Sequence, residues 1–131
     1  MLQVNSTHST PQIMQHLQDC VNNCLDCSSI CQQCAAECIS MEKPGMSLCI
    51  NSCLDCAAIC TLDAELMSRE SAYHFKTCEL CAGICEDCAQ ICEANARLSE
   101  NSIMQECAES CRRCAESCRS MVSMAGIQGI H

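Results

Sequence analysis

The sequence predicts an all-α protein, an up-down-up-down four-helix bundle with a cysteine-lined core. Three observations carry this. The 131-residue chain has only two prolines, Pro11 and Pro44, and four glycines, Gly45, Gly83, Gly126 and Gly129, so little interrupts helix. Cysteine supplies 19 residues, recurring at alternating steps of 3 and 4, the a/d seam of a heptad. Aromatic residues are reduced to Tyr73 and Phe75, with no tryptophan, so something other than large rings fills the interior.

The elements follow in order. Helix 1 is expected over about 11–42, with Thr10 as N-cap and Pro11 at the first helical position, where its missing N–H costs nothing. Lys43, Pro44 and Gly45 break the chain, and helix 2 follows over about 46–67. A polar break from Ser68 to Ser71 leads to helix 3, about 72–97. A second break, Leu98 to Asn101, leads to helix 4, about 102–124, where Ser102 and Gln105 have capping-box spacing. Short connections make neighbouring helices antiparallel. One domain is expected over 1–131, with flexible tails at 1–9 and 125–131.

The cysteines occupy every seam position in the middle of all four helices. Helix 1 carries Cys20, Cys24, Cys27, Cys31, Cys34 and Cys38, and helix 2 carries Cys49, Cys53, Cys56 and Cys60. Helix 3 carries Cys78, Cys81, Cys85, Cys88 and Cys92, and helix 4 carries Cys107, Cys111, Cys114 and Cys118. Alanine follows many of them (Ala35, Ala57, Ala82, Ala89, Ala108, Ala115) and isoleucine precedes several (Ile30, Ile59, Ile84, Ile91), so the flanks suit close helix packing. Charges such as Asp26, Glu86, Asp87, Arg112, Arg113 and Glu116 fall on the remaining face.

Composition excludes several classes. A net charge of −9 argues against nucleic acid, which requires a basic surface. No apolar run is expected to approach the ~18 residues of a membrane span. The opening residues, MLQVNSTHSTPQ, show no basic region, apolar region or twin arginine. A cytoplasmic location is therefore expected, where thiols stay reduced. No nucleophile–base–orienter set stands out, so the chain is read as a non-enzyme.

A packing role alone does not select cysteine at every seam position. A disulfide framework needs an oxidising compartment and an even count. The ferredoxin spacing with its closing Cys-Pro is absent. Metal binding remains, and soft thiolates select Cu(I), zinc or iron–sulfur clusters. A tetrahedral Zn(Cys)4 site leaves two negative charges, and stacking several in a dry core is costly. Cu(I) accepts two thiolates, and each thiolate bridges two coppers, giving one metal per thiolate and a neutral core. Spacing agrees, because residues at i and i+4 have Cβ atoms ~5–6 Å apart on one face. Nine CxxxC pairs (20/24, 27/31, 34/38, 49/53, 56/60, 81/85, 88/92, 107/111, 114/118) use all the cysteines except Cys78, which stands at CxxC spacing from Cys81. Multiple Cu(I) ions, on the order of one per cysteine, are thus the expected cargo. The alternative is a zinc or cadmium thiolate buffer, a helical counterpart of metallothionein; a redox-sensing thiol scaffold is a third class.

Over about residues 17–121 the chain resembles the bacterial copper storage proteins, on motifs such as CxxCxxxCxxC at 78–88 and CAESCRRCAESC at 107–118. The resemblance implies a cysteine-lined four-helix bundle that holds many Cu(I) ions, a homotetramer, and membership of the cytosolic branch. Cytosolic members often carry a histidine-rich stretch before the fourth helix. Here that stretch is ANARLSENSIMQE, without histidine, so metal entrance through histidine at that end does not carry over.

Extending the heptad past the cysteines identifies the bundle ends. One end gathers Met41, Met46, Asn95 and Met104, and the three methionines are candidate mouth ligands, since thioether binds Cu(I) weakly. The other end gathers Leu17, Asp63, Met67, His74 and Met121, with Ile13 one step further out. There His74 and Asp63 are expected either to bind a metal or to form a surface histidine–carboxylate pair. His8, His16 and His131 are assigned no role. The copper donor and acceptor are not legible, and neither nucleic acid nor membrane is expected as a partner.

Overall fold

Each cysteine run winds into one long helix. The structure is a computed structural model and describes residues 11–99 and 102–128. The elements are α1 (Pro11–Ser40), α2 (Ser47–Ser68), α3 (His74–Ser99) and α4 (Ser102–Gln128), with no strand among the described residues. Helix α1 packs against α2 and α4, and α3 against the same two, while the diagonal pairs make no backbone approach. That is the square of an up-down-up-down bundle.

The helix ends differ from expectation for local reasons. Helix α1 stops at Ser40 because Glu42 takes a left-handed conformation (φ 52°), its N–H bonded to the Ile39 carbonyl at 3.3 Å. Helix α2 closes the same way. Glu70 is left-handed (φ 49°) and its N–H reaches the Met67 carbonyl at 3.0 Å. The Ser71 N–H reaches the Leu66 carbonyl at 2.9 Å, which completes a Schellman motif. Glutamate holds both positions where glycine is common. Gly45 (φ 86°) makes the intervening turn before α2. Helix α3 begins at His74, where the Ser71 carbonyl accepts its N–H at 3.1 Å. Helix α4 continues to Gln128, past the expected end at 124. At its start the Gln105 amide donates to Glu109 at 3.2 Å, one turn on. Thr10, the tail 1–9 and residues 129–131 lie outside the described residues.

The interior is a column of sulfur. All 19 cysteines are exposed by 1% or less, and alanines such as Ala35, Ala89, Ala108 and Ala115 close the gaps beside them. Polar pins fix neighbouring helices. The Ser28 hydroxyl donates to the Ala57 carbonyl (3.0 Å), and Asn23 donates to the Ser117 hydroxyl (2.5 Å). On the outside Arg112 holds Glu93 through two hydrogen bonds of 3.0 and 3.1 Å, and Arg119 pairs with Glu86, tying α4 to α3.

One expectation needs correction. Helix α2 is long and apolar enough, by length and composition, to cross a membrane. Asn51, Ser52, Asp55 and Asp63 interrupt the stretch, so it holds no unbroken apolar run, while its cysteines and leucines keep its mean hydropathy high. Cys49, Cys53, Cys56 and Cys60 face inward, while Leu48, Leu54 and Leu62 lie exposed.

Candidate metal centre

The heptad brings the four cysteine stripes to one axis. Within a helix, the 27/31, 81/85 and 88/92 pairs hold their sulfurs 3.8–3.9 Å apart. The shortest contacts run between helices. Cys24 meets Cys114 at 3.5 Å, and Cys31 meets Cys107, Cys53 meets Cys92 and Cys56 meets Cys85 at 3.6 Å. Sulfurs also meet across the α2–α4 diagonal, as in Cys56–Cys111 and Cys60–Cys114, both 3.8 Å. The spacing argument identified clasps along single helices. The tertiary structure adds a lattice in which each sulfur has neighbours on other helices.

All 19 cysteines are free thiols. Groups of four whose sulfurs lie within 4.8 Å of one another include Cys27/Cys31/Cys56/Cys111, Cys31/Cys88/Cys107/Cys111 and Cys34/Cys53/Cys92/Cys107. Such groups share members: Cys31, Cys107 and Cys111 each belong to two. A tetrahedron with metal–sulfur bonds of 2.3 Å has edges of roughly 3.8 Å, so separation alone does not distinguish zinc from copper. Sharing and charge do. Among the described residues no lysine or arginine is buried, so nothing offsets the surplus negative charge of stacked tetrathiolate sites. Bridging thiolates with one monovalent ion each leave no surplus. The Cys38 thiol is held above its ordinary pKa by burial first and then by Cys34 and Cys49, which keeps it protonated before metal arrives.

Asp63 keeps the seam position that register assigns it, but not the surface setting expected for its pairing with His74. It is fully buried beside the last sulfur layer rather than at a surface. The Cys78 thiol donates to its Oδ1 at 3.3 Å, and the Cys118 and Cys24 thiols donate to its Oδ2 at 3.4 and 3.7 Å. Burial, reinforced by Cys118 and Cys81, pushes its carboxyl up to about 9, so it carries a proton at neutral pH. Register places Asp63 one seam step past Cys60, and its burial follows from the helices packed around that step.

The expected surface pair of His74 and Asp63 does not form. His74 is only 9% exposed, stacks on Phe75 with ring centroids 4.1 Å apart, and leaves Nδ1 without a hydrogen-bond partner. Burial lowers its pKa, against an opposing pull from Glu70. Met67 is fully buried and Met121 nearly so, and Leu17 is partly buried against the same core. At the opposite end Met104 is fully buried, Met41 and Met46 are half-buried against the core, and Asn95 donates to the Ile91 carbonyl at 2.8 Å. His16 is exposed, and His8 and His131 lie outside the described residues.

A model of the copper storage protein family matches residues 13–123. Among solved structures, the chain is similar to the Cu(I)-bound copper storage protein BsCsp3, with 34% identity over 82% of this chain and 98% of that one, at a TM-score of 0.76. It is also similar to apo copper storage protein 3 from Bacillus subtilis, with 36% identity over 80% and 97% of the two chains and a TM-score of 0.73. A cytosolic copper storage protein from Streptomyces lividans, loaded with five coppers, matches with 28% identity over 83% and 93% and a TM-score of 0.75. No curated protein gives a significant match.

Proposed function

The chain belongs to the copper storage protein family, and on that premise we propose that it sequesters Cu(I) along its thiol column at on the order of one ion per cysteine. The observation that carries this reading is a core of 19 thiols, each buried, with shared sulfur groups and no buried lysine or arginine among the described residues. Each Cu(I) replaces one thiol proton, which keeps the core neutral as it fills. The role is storage rather than catalysis. The cytosol is the proposed location, supported by the description of the Streptomyces relative as cytosolic and by the need for reduced thiols.

Self-association is proposed as well, with the homotetramer as the assembly. Leu48, Leu62, Ile84 and Ile91 line an open apolar groove on the outer faces of α2 and α3. With cysteine inside and Leu48, Leu54 and Leu62 exposed outside, α2 carries apolar residues on two faces, which suits a helix covered on both sides. The net charge of −9 disfavours nucleic acid, and no membrane partner is proposed.

An anaerobic Cu(I) titration against an affinity chelator tests the storage reading. The expected endpoint is on the order of 19 ions per chain. An endpoint near four or five metals, with zinc competing effectively, supports tetrahedral sites and the zinc or cadmium alternative instead.

A further inference from the structure

Nine CxxxC pairs account for every cysteine except Cys78. The position four residues before Cys78 is His74, so α3 carries three pairs in heptad register, 74/78, 81/85 and 88/92, of which the first is HxxxC. Residues at this spacing share one helix face with Cβ atoms ~5–6 Å apart. His74 follows the cysteines indoors, being 9% exposed at the first position of α3. Its Nδ1 is the one buried side-chain nitrogen or oxygen without a hydrogen-bond partner among the described residues. Native proteins rarely leave such an atom unpaired without a reason. Stacking on Phe75 uses the ring face and leaves Nδ1, in the ring plane, without a partner. The surroundings offer soft donors, for the Cys78 sulfur lies 3.6 Å from the fully buried Met67 sulfur.

We propose that His74 Nδ1 and Cys78 Sγ form a tenth two-ligand clasp for Cu(I), with the Met67 thioether as a weaker third ligand. The proposal rests on the Cu(I)-storage reading above. Neutral imidazole, one thiolate and one Cu(I) sum to zero charge, as in the rest of the core. Binding transfers the Cys78 proton to solvent and forms one copper–nitrogen and one copper–sulfur bond. Imidazole is a ligand for copper as well as for zinc and iron, so a mixed nitrogen–sulfur site is chemically ordinary.

The test uses the full chain, labelled with ¹⁵N-histidine and titrated anaerobically with Cu(I). The His74 Nδ1 resonance is expected to leave its metal-free position as the core fills. In parallel, His74→Leu should bind about one Cu(I) fewer per chain than the parent, and His74→Cys, which completes a tenth CxxxC pair, should restore the loss. An Nδ1 resonance that stays put while the thiol core loads to its full capacity overturns the clasp and leaves the storage reading intact. Failure of any Cu(I) to load removes both. If His74→Leu does not fold, the resonance of the unmodified chain decides.

Discussion

Asp63 is where burial and charge meet most directly. Its carboxyl is surrounded by the thiols of Cys24, Cys78 and Cys118, with Cys81 nearby, and by no cation that would favour ionisation. The native pKa of about 9 stands above the unfolded value of roughly 3.9. The folded apo protein therefore holds a proton that the unfolded chain releases, and stability falls as pH rises from about 4 towards about 9. Asp63→Asn, nearly equal in volume and without charge, should remove that slope. Urea midpoints of metal-free protein at pH 5 and pH 7.5 check it: the parent loses more stability than the variant over this interval. Restricting the interval avoids the ionisation of unfolded cysteines near ~8.5, and comparison with the parent cancels His74, whose lowered pKa gives the opposite slope. Parallel slopes in the two proteins would contradict a protonated Asp63.

At the scale of elements, the helix ends hold avoidable strain. Left-handed backbone costs a non-glycine residue roughly 1–2 kcal/mol, and Glu42 and Glu70 both adopt it. Glutamate to glycine at either site should stabilise the protein by about 0.5–1 kcal/mol, after the larger chain entropy of glycine is deducted. Chemical denaturation reads this directly, and a loss of stability would mean that the glutamate side chain contributes more than its backbone costs. The end formed by α1–α2 and the start of α4 carries the proposed mouth. Replacing Met41, Met46 and Met104 together by leucine conserves volume and apolarity, so the fold should survive at a cost below about 1.5 kcal/mol per site. Cu(I) transfer from a chelator should slow while final capacity stays the same. Unchanged kinetics here, with slower loading in a Met67→Leu, His74→Leu variant, would place the entrance at the other end.

The whole molecule has an inside and an outside that answer to different forces. The inside exchanges protons for metal. The outside presents an apolar strip on α2 and α3, with Leu48 65% and Leu62 43% exposed. If that strip is the contact between copies, Leu48→Lys with Leu62→Lys should convert a tetramer into smaller species by light scattering, because a lysine brought into an interface loses its hydration. Copper capacity per chain should not change, since both residues lie on the side of α2 away from the sulfur column. A tetramer that persists in the double variant would move the contact to another face.

Heptad spacing alone determined the four helices, the inward direction of every cysteine and the soft chemistry of the core, because side-chain direction on a helix follows from period. It also placed Met67, His74 and Met121 at one end. What period does not contain is the distance between helices. That Cys24 approaches Cys114 at 3.5 Å, and that Cys56 meets both Cys85 and Cys111, depends on how the stripes interlock across the bundle. The same holds for Asp63. A carboxylate one seam step past Cys60 reads from sequence as a polar end, because aspartate prefers water. Only the packing of α1, α3 and α4 around it, with three thiols donating to its oxygens, turns it into a buried acid that keeps its proton. Local geometry decides which way a side chain points; the neighbours decide what surrounds it, and hence its charge.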